Sequence, residues 1–101
     1  MKFSPSDYNR IVQVIADQNL DLDAFAFIKH KGWVHVYYKP SGEYFAFYLK
    51  KETHLDPETK QWVKNSYYKV KKSSGKILLA GDQQTLLREF RGWIETLNSM
   101  R

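Results

Sequence analysis

The chain contains no cysteine, which removes disulfides, thiolate nucleophiles and every cysteine-ligated zinc or iron–sulfur site in one step. That fits a reducing compartment. Long apolar runs are also missing: runs such as Ala24 to Ile28 and Ile77 to Ala80 fall far short of the ~20 residues a membrane-spanning helix needs. The opening residues, Met1-Lys2-Phe3-Ser4-Pro5-Ser6-Asp7, include no apolar stretch of the kind that directs secretion. The expectation is therefore a soluble, cytoplasmic protein with no membrane partner. The sequence holds no glycine-rich phosphate loop, no serine nucleophile elbow and no histidine pair at zinc-binding helical spacing, so its motifs point to no cofactor. Acidic residues are the last scarcity. None occurs between Trp62 and Gly81, a stretch that carries Lys64, Lys69, Lys71, Lys72 and Lys76.

What is present is enough for one packed domain. The 101 residues are 43% hydrophobic and 16% aromatic, a size and composition that fill a single core without a staple. Residues 1–101 are read as a single α+β domain. The net charge of +5 is unevenly spread: residues 1–28 carry −2, 29–51 carry +4, 52–59 carry −3, 60–76 carry +6 and 77–101 are neutral. The positive charge thus falls on the expected strands and favours an anionic partner. Lysines on strands also discourage edge-to-edge aggregation, which needs no ligand.

Ser4-Pro5-Ser6-Asp7 supplies capping hydroxyls, a proline suited to a first helical turn and an acid at the positive end of the dipole. A helix is predicted from about Ser6 to Gln18, with Tyr8, Ile11, Val12 and Ile15 as its apolar stripe and Val14 at the margin. The period then changes to two. Strands are predicted over Ala24–Lys29, Trp33–Tyr38, Tyr44–Lys51, Ser66–Lys72 and Lys76–Ala80, with a turn at His30-Lys31-Gly32 and a hairpin turn at Lys39-Pro40-Ser41-Gly42. Residues 52–65, with Asp56-Pro57-Glu58 and few apolar groups, read as a long connecting loop. Gly81-Asp82 caps a final helix over about Gln83–Asn98, striped by Leu86, Leu87, Phe90, Trp93, Ile94 and Leu97. The expected fold is α+β: an antiparallel meander of four to five strands with N-terminal and C-terminal helices packed on one face.

Alternation along the strands sorts the sheet into two faces. One collects Val34, Val36, Tyr38, Phe45, Phe47, Leu49, Tyr68 and Val70, and is the expected core. The other collects Lys31, Trp33, His35, Tyr37, Lys39, Tyr44, Ala46, Tyr48, Lys50, Tyr67, Lys69 and Lys71, and is aromatic and cationic together. Lys31 to Tyr38 meets the RNP1 pattern of RNA-recognition motifs at Lys31, Gly32, Val36 and Tyr38, but His35 and Val34 depart from it and the element order differs. No family is assigned.

The functional expectation is a non-enzymatic binding module whose aromatic sites are Trp33, Tyr37, Tyr44, Tyr48 and Tyr67 and whose basic sites are Lys39, Lys50, Lys69 and Lys71. A face so rich in rings calls for a cover. That cover is a protein partner or a second copy of the chain, since tyrosine and tryptophan are favoured at interfaces. The alternative is single-stranded nucleic acid, with bases stacked on the rings and phosphates held by lysines. A further option has the 52–65 loop folding back with Trp62. The lesser enzymatic alternative, a small ribonuclease or toxin-like enzyme, would use His35 and His54 for proton transfer. His54-x-Asp56-x-Glu58 offers metal-binding side chains but lacks a further nearby ligand.

Overall fold

The computed structural model describes residues 5–73, 75 and 77–99. It comprises α1 (Pro5–Asp17), a 3-10 turn (Leu22–Ala24), β1 (Phe25–His30), β2 (Trp33–Tyr38), β3 (Tyr44–Leu55), β4 (Trp62–Lys72), β5 (Ile77–Ala80) and α2 (Gln83–Ser99). The strands form one antiparallel meander in the order β1-β2-β3-β4-β5. Both helices cover the same face. Ile11, Val14 and Ile15 of α1 and Leu86, Phe90, Trp93, Ile94 and Leu97 of α2 are buried with Phe25, Val34, Val36, Phe45, Phe47, Tyr68 and Val70 of the sheet in one cluster. Val14, expected at the margin, is fully part of the core, while Val12 is only half-buried. Ser4 and Lys76, invoked above for a cap and a strand start, lie outside the described residues.

Local chemistry explains the helix ends. At the end of α1, Asn19 sits at φ 58°, a left-handed conformation asparagine tolerates. The Leu20 amide donates to the Ile15 carbonyl and the Asn19 amide to the Ala16 carbonyl, a Schellman closure whose following residue, Leu20, is buried. Asn98 near the end of α2 donates from Nδ2 to the Gln18 carbonyl (3.1 Å), tying the two helix ends together. At the start of α2, the Asp82 carboxylate accepts from the Thr85 amide at 2.8 Å, and the hydrogen bonds to Thr85 hold its pKa below the ordinary value.

The helix layer is pinned to the sheet by one buried polar node. The Tyr68 hydroxyl on β4 donates to the Asp7 carboxylate on α1 (3.0 Å to Oδ1), and Gln83 Nε2 of α2 donates to the same oxygen at 2.6 Å. Burial, and then the hydrogen bond to Asp7 and its negative charge, push the Tyr68 phenol up to about 12. Asp7, read from the sequence as a dipole-facing acid, is thus buried and joins three elements.

Two connections differ from expectation. The hairpin turn after β2 closes on the Tyr38 carbonyl, which accepts from both Ser41 and Gly42, with Gly42 at φ 76°; it therefore starts one residue earlier than the Lys39-Pro40-Ser41-Gly42 reading.

The larger correction concerns residues 52–65, which are not a long loop. β3 and β4 stay paired from Phe45↔Lys72 to Leu55↔Trp62, leaving only residues 56–61 as a turn. Asp56 builds that turn: its carboxylate accepts from the Glu58 amide at 2.9 Å, its amide donates to the Gln61 carbonyl, and its carbonyl accepts from Lys60. Pairing with β2 reaches only to Phe47, and pairing with β5 covers only Tyr68 to Lys71. Residues 49–55 and 62–67 therefore project as a two-stranded arm of roughly 20 Å, giving a molecule of 54 × 25 × 23 Å. Leu49, assigned to the core, is 38% exposed because it lies where β3 leaves the shelter of the helices.

Candidate functional site

Cross-strand register arranges the uncovered face into rows. The first row runs from His30 across Trp33 to Tyr48, Lys69 and Leu79. A second contains Ile28, His35, Ala46, Lys71 and Ile77, one residue from each strand. Ala26, Tyr37 and Tyr44 make a third. No carboxylate stands in any of these rows. The rings brace one another: Trp33 and Tyr48 meet edge to face at 4.5 Å, Tyr37 and Tyr44 lie 5.7 Å apart, and His35 stacks on Tyr37 at 5.8 Å. Lys69 Nζ is 5.9 Å from the centre of the Tyr48 ring, within reach of a cation–π attraction.

The structure thus gathers Trp33, Tyr37, Tyr44, Tyr48, Lys69 and Lys71 on one surface, with no helix over it among the described residues. Tyr67 and Lys50 share that face but stand opposite each other at the root of the arm, where the Tyr67 hydroxyl donates to Glu52 Oε1 at 3.1 Å. Lys39 lies apart. It follows the end of β2, and its ammonium donates to the Asp23 carbonyl at 2.9 Å, so it is not in the patch. Trp62 does not fold back to cover the rings. It pairs with Leu55 at the tip of the arm, 71% exposed, on the parity of the helix-bearing face.

The face carries more apolar surface than tyrosine and tryptophan alone. Ile28 on one edge strand and Ile77 and Leu79 on the other are 50%, 59% and 70% exposed, flanking the aromatic rows on both sides. These residues, with His30, were missed because parity was applied only to the three central strands. Extending the same alternation to Ile28 and to Ile77-x-Leu79 would have found them.

In the second row Ala46 is fully buried although it belongs to the uncovered face. Its methyl group is short enough for the neighbouring side chains to close over it, and this sets His35 on β2 beside Lys71 on β4. Burial, then electrostatic repulsion from His30 and Lys71, lowers the His35 pKa from 6.5, against a hydrogen bond to the Ile28 backbone that raises it. Because the folded value lies below the unfolded one, the unfolded chain takes up the proton more readily. The resulting stability is present above about pH 6.5 and is lost as pH falls through the depressed value. His35→Gln is expected to flatten that acid-side loss, read as urea midpoints on either side of pH 6.5; an unchanged slope would contradict it.

His35 and His54 do not converge. Ala46 is the β3 partner of His35, and His54 lies eight residues further along the same strand, roughly 25 Å away at the rise of a β-strand. His35 and His54, each named for proton transfer, therefore do not share one site. Asp56 of the His54-x-Asp56-x-Glu58 stretch is committed to its turn, and among the described residues no three histidine or carboxylate groups stand together in a way that would hold a metal ion. No described helix is long and apolar enough to cross a membrane.

Fold and site together define a class: an α+β domain whose five-stranded meander has its terminal helices on one face and an aromatic, cationic face left bare. No protein-family model matches the chain, and neither does any curated protein or solved structure.

Proposed function

We propose that the protein is a non-enzymatic binding module that docks a protein partner, a second copy of itself being the simplest, on the uncovered sheet face. The observation that carries this reading is the exposure of Ile28, Ile77 and Leu79 on either side of the Trp33–Tyr48 pair. Aliphatic side chains flanking a centre of tyrosine and tryptophan favour a desolvated protein contact. They add nothing to the capture of phosphates. Trp33 and Tyr48 are also already packed edge to face, and Tyr37 and Tyr44 are tilted against each other, which leaves these rings better suited to filling a partner's hollows than to stacking flat bases.

A single-stranded nucleic acid is the second reading, supported by Lys69 and Lys71 standing among the rings with no acid in the same rows. Two measurements on one sample separate them. Light scattering over a range of concentration, together with identification of any co-purifying chain, is expected to give a dimer or a defined complex. A labelled single-stranded oligonucleotide is expected to show no salt-sensitive binding at about 50 mM salt. A strict monomer without a partner, combined with steeply salt-dependent oligonucleotide binding, would replace the first reading by the second.

A further inference from the structure

At one corner of the uncovered face, His30, Lys31, Trp33, His35, Lys71 and Ile77 line a depression of about 240 Å³. We propose that this depression is a phosphate-monoester site, in which His30, Lys31, His35 and Lys71 hold the phosphate and Trp33 offers a surface to whatever planar group the phosphate carries. The inference goes beyond the partner-docking reading: Trp33 and Ile77 belong to the docking face as well, so a seated partner would cover the depression, and phosphate binding is read on the chain at a concentration where light scattering shows it monomeric.

Three observations carry it. The first is the composition of the lining: four side chains that are cationic or can become so, drawn from β1, its turn, β2 and β4, and not one carboxylate. Charged groups of one sign brought this close repel each other unless an anion joins them. The fully buried Ala46 keeps His35 and Lys71 side by side, as described above.

The second observation is conformational. Lys31 and Gly32 both have positive φ, 51° and 85°, the requirement of a tight two-residue hairpin turn for which asparagine followed by glycine is best suited. The turn imposes that backbone, as the distal turn does at Lys60 (φ 56°), and it sets the long Lys31 side chain at the rim of the depression. The third is size. The space is smaller than the ~300 Å³ at which pockets begin to engulf a drug-sized molecule, so it fits a phosphate group whose organic part stays outside, against the Trp33 ring that Tyr48 braces at 4.5 Å.

The groups facing His35 are His30 and the Ile28 carbonyl of β1, Tyr37 of its own strand, Tyr44 of β3 and Lys71 of β4. A bound dianion reverses the repulsion from His30 and Lys71, so phosphate should raise the imidazole titration midpoint of His35 by about one pH unit. The test is an NMR titration of the full chain with inorganic phosphate, adenosine 5′-monophosphate and adenosine, following the histidine ring protons and the Gly32 amide. Saturable shifts at these positions are expected with phosphate and with the nucleotide, and none with adenosine. Equal affinity for the two phosphates would make free phosphate the sufficient ligand; tighter nucleotide binding would add the contact with Trp33. Lys71→Gln should weaken phosphate binding by roughly tenfold, while its melting curve stays that of the wild type because Lys71 lies outside the core. The proposal is overturned by the absence of saturable shifts with both phosphates, by adenosine binding as well as its monophosphate, or by a folded Lys71→Gln protein that binds phosphate undiminished.

Discussion

Phe45→Ala is expected to destabilise the fold by about 3–5 kcal/mol, a large share of the roughly 5–15 kcal/mol that holds a domain of this kind together. Phe45 is fully buried where the central strand meets α2. Its ring lies 5.1 Å from that of Phe90, 5.9 Å from Trp93 and 6.4 Å from Phe47, so truncation opens a cavity bounded by rigid rings that collapse poorly. The informative comparison is Tyr48→Ala, three residues along the same strand on the opposite face. Tyr48 is half-buried and packs mainly on Trp33, so its loss should cost about 1 kcal/mol. Urea unfolding of both variants measures the difference. Similar costs for the two would mean that the helices do not cover the face assigned to them.

The second large effect is on association. Trp33→Ala combined with Tyr48→Ala is expected to weaken the complex by at least roughly 30-fold, the loss of one central aromatic anchor worth about 2 kcal/mol, since the effects of two rings in contact do not simply add. The two rings stand in the middle of the first row, between His30 and Lys69, with exposed Leu79 at its far end. Since neither lies in the helix-covered core, the double variant should remain folded, with near-wild-type far-ultraviolet circular dichroism. Sedimentation of wild type and variant, with the partner where it is another chain, reads the loss. A folded variant that associates as tightly as the wild type would place the interface elsewhere.

Much of this was legible in the sequence because burial writes a period into the chain. Val34, Val36, Phe45, Phe47, Tyr68 and Val70 alternate with rings and lysines, and Leu86, Phe90, Trp93 and Leu97 recur at helical spacing, so the core face and the final helix followed directly. The arm did not, and the reason is physical. Residues 49–55 and 62–67 project past the neighbouring strands, and along most of the arm neither face is buried, so no apolar alternation is required of Lys51-Glu52-Thr53-His54. Their strand conformation rests on backbone pairing and on the turn that Asp56 closes, which composition alone reads as loop. The depression at His30 and His35 was hidden for another reason. It depends on register across four strands and on one alanine at the point where a larger side chain would have kept His35 and Lys71 apart.

The proposed partner-facing role of the bare sheet face is tested most directly by photo-crosslinking in the cell that makes the protein, with a benzophenone side chain placed at Tyr48 and, as control, at Arg91 on the exposed side of α2. The prediction is a discrete protein adduct, to a second copy or to one other chain, from position 48 and not from position 91. Adducts to nucleic acid at position 48, or no difference between the two positions, would contradict it.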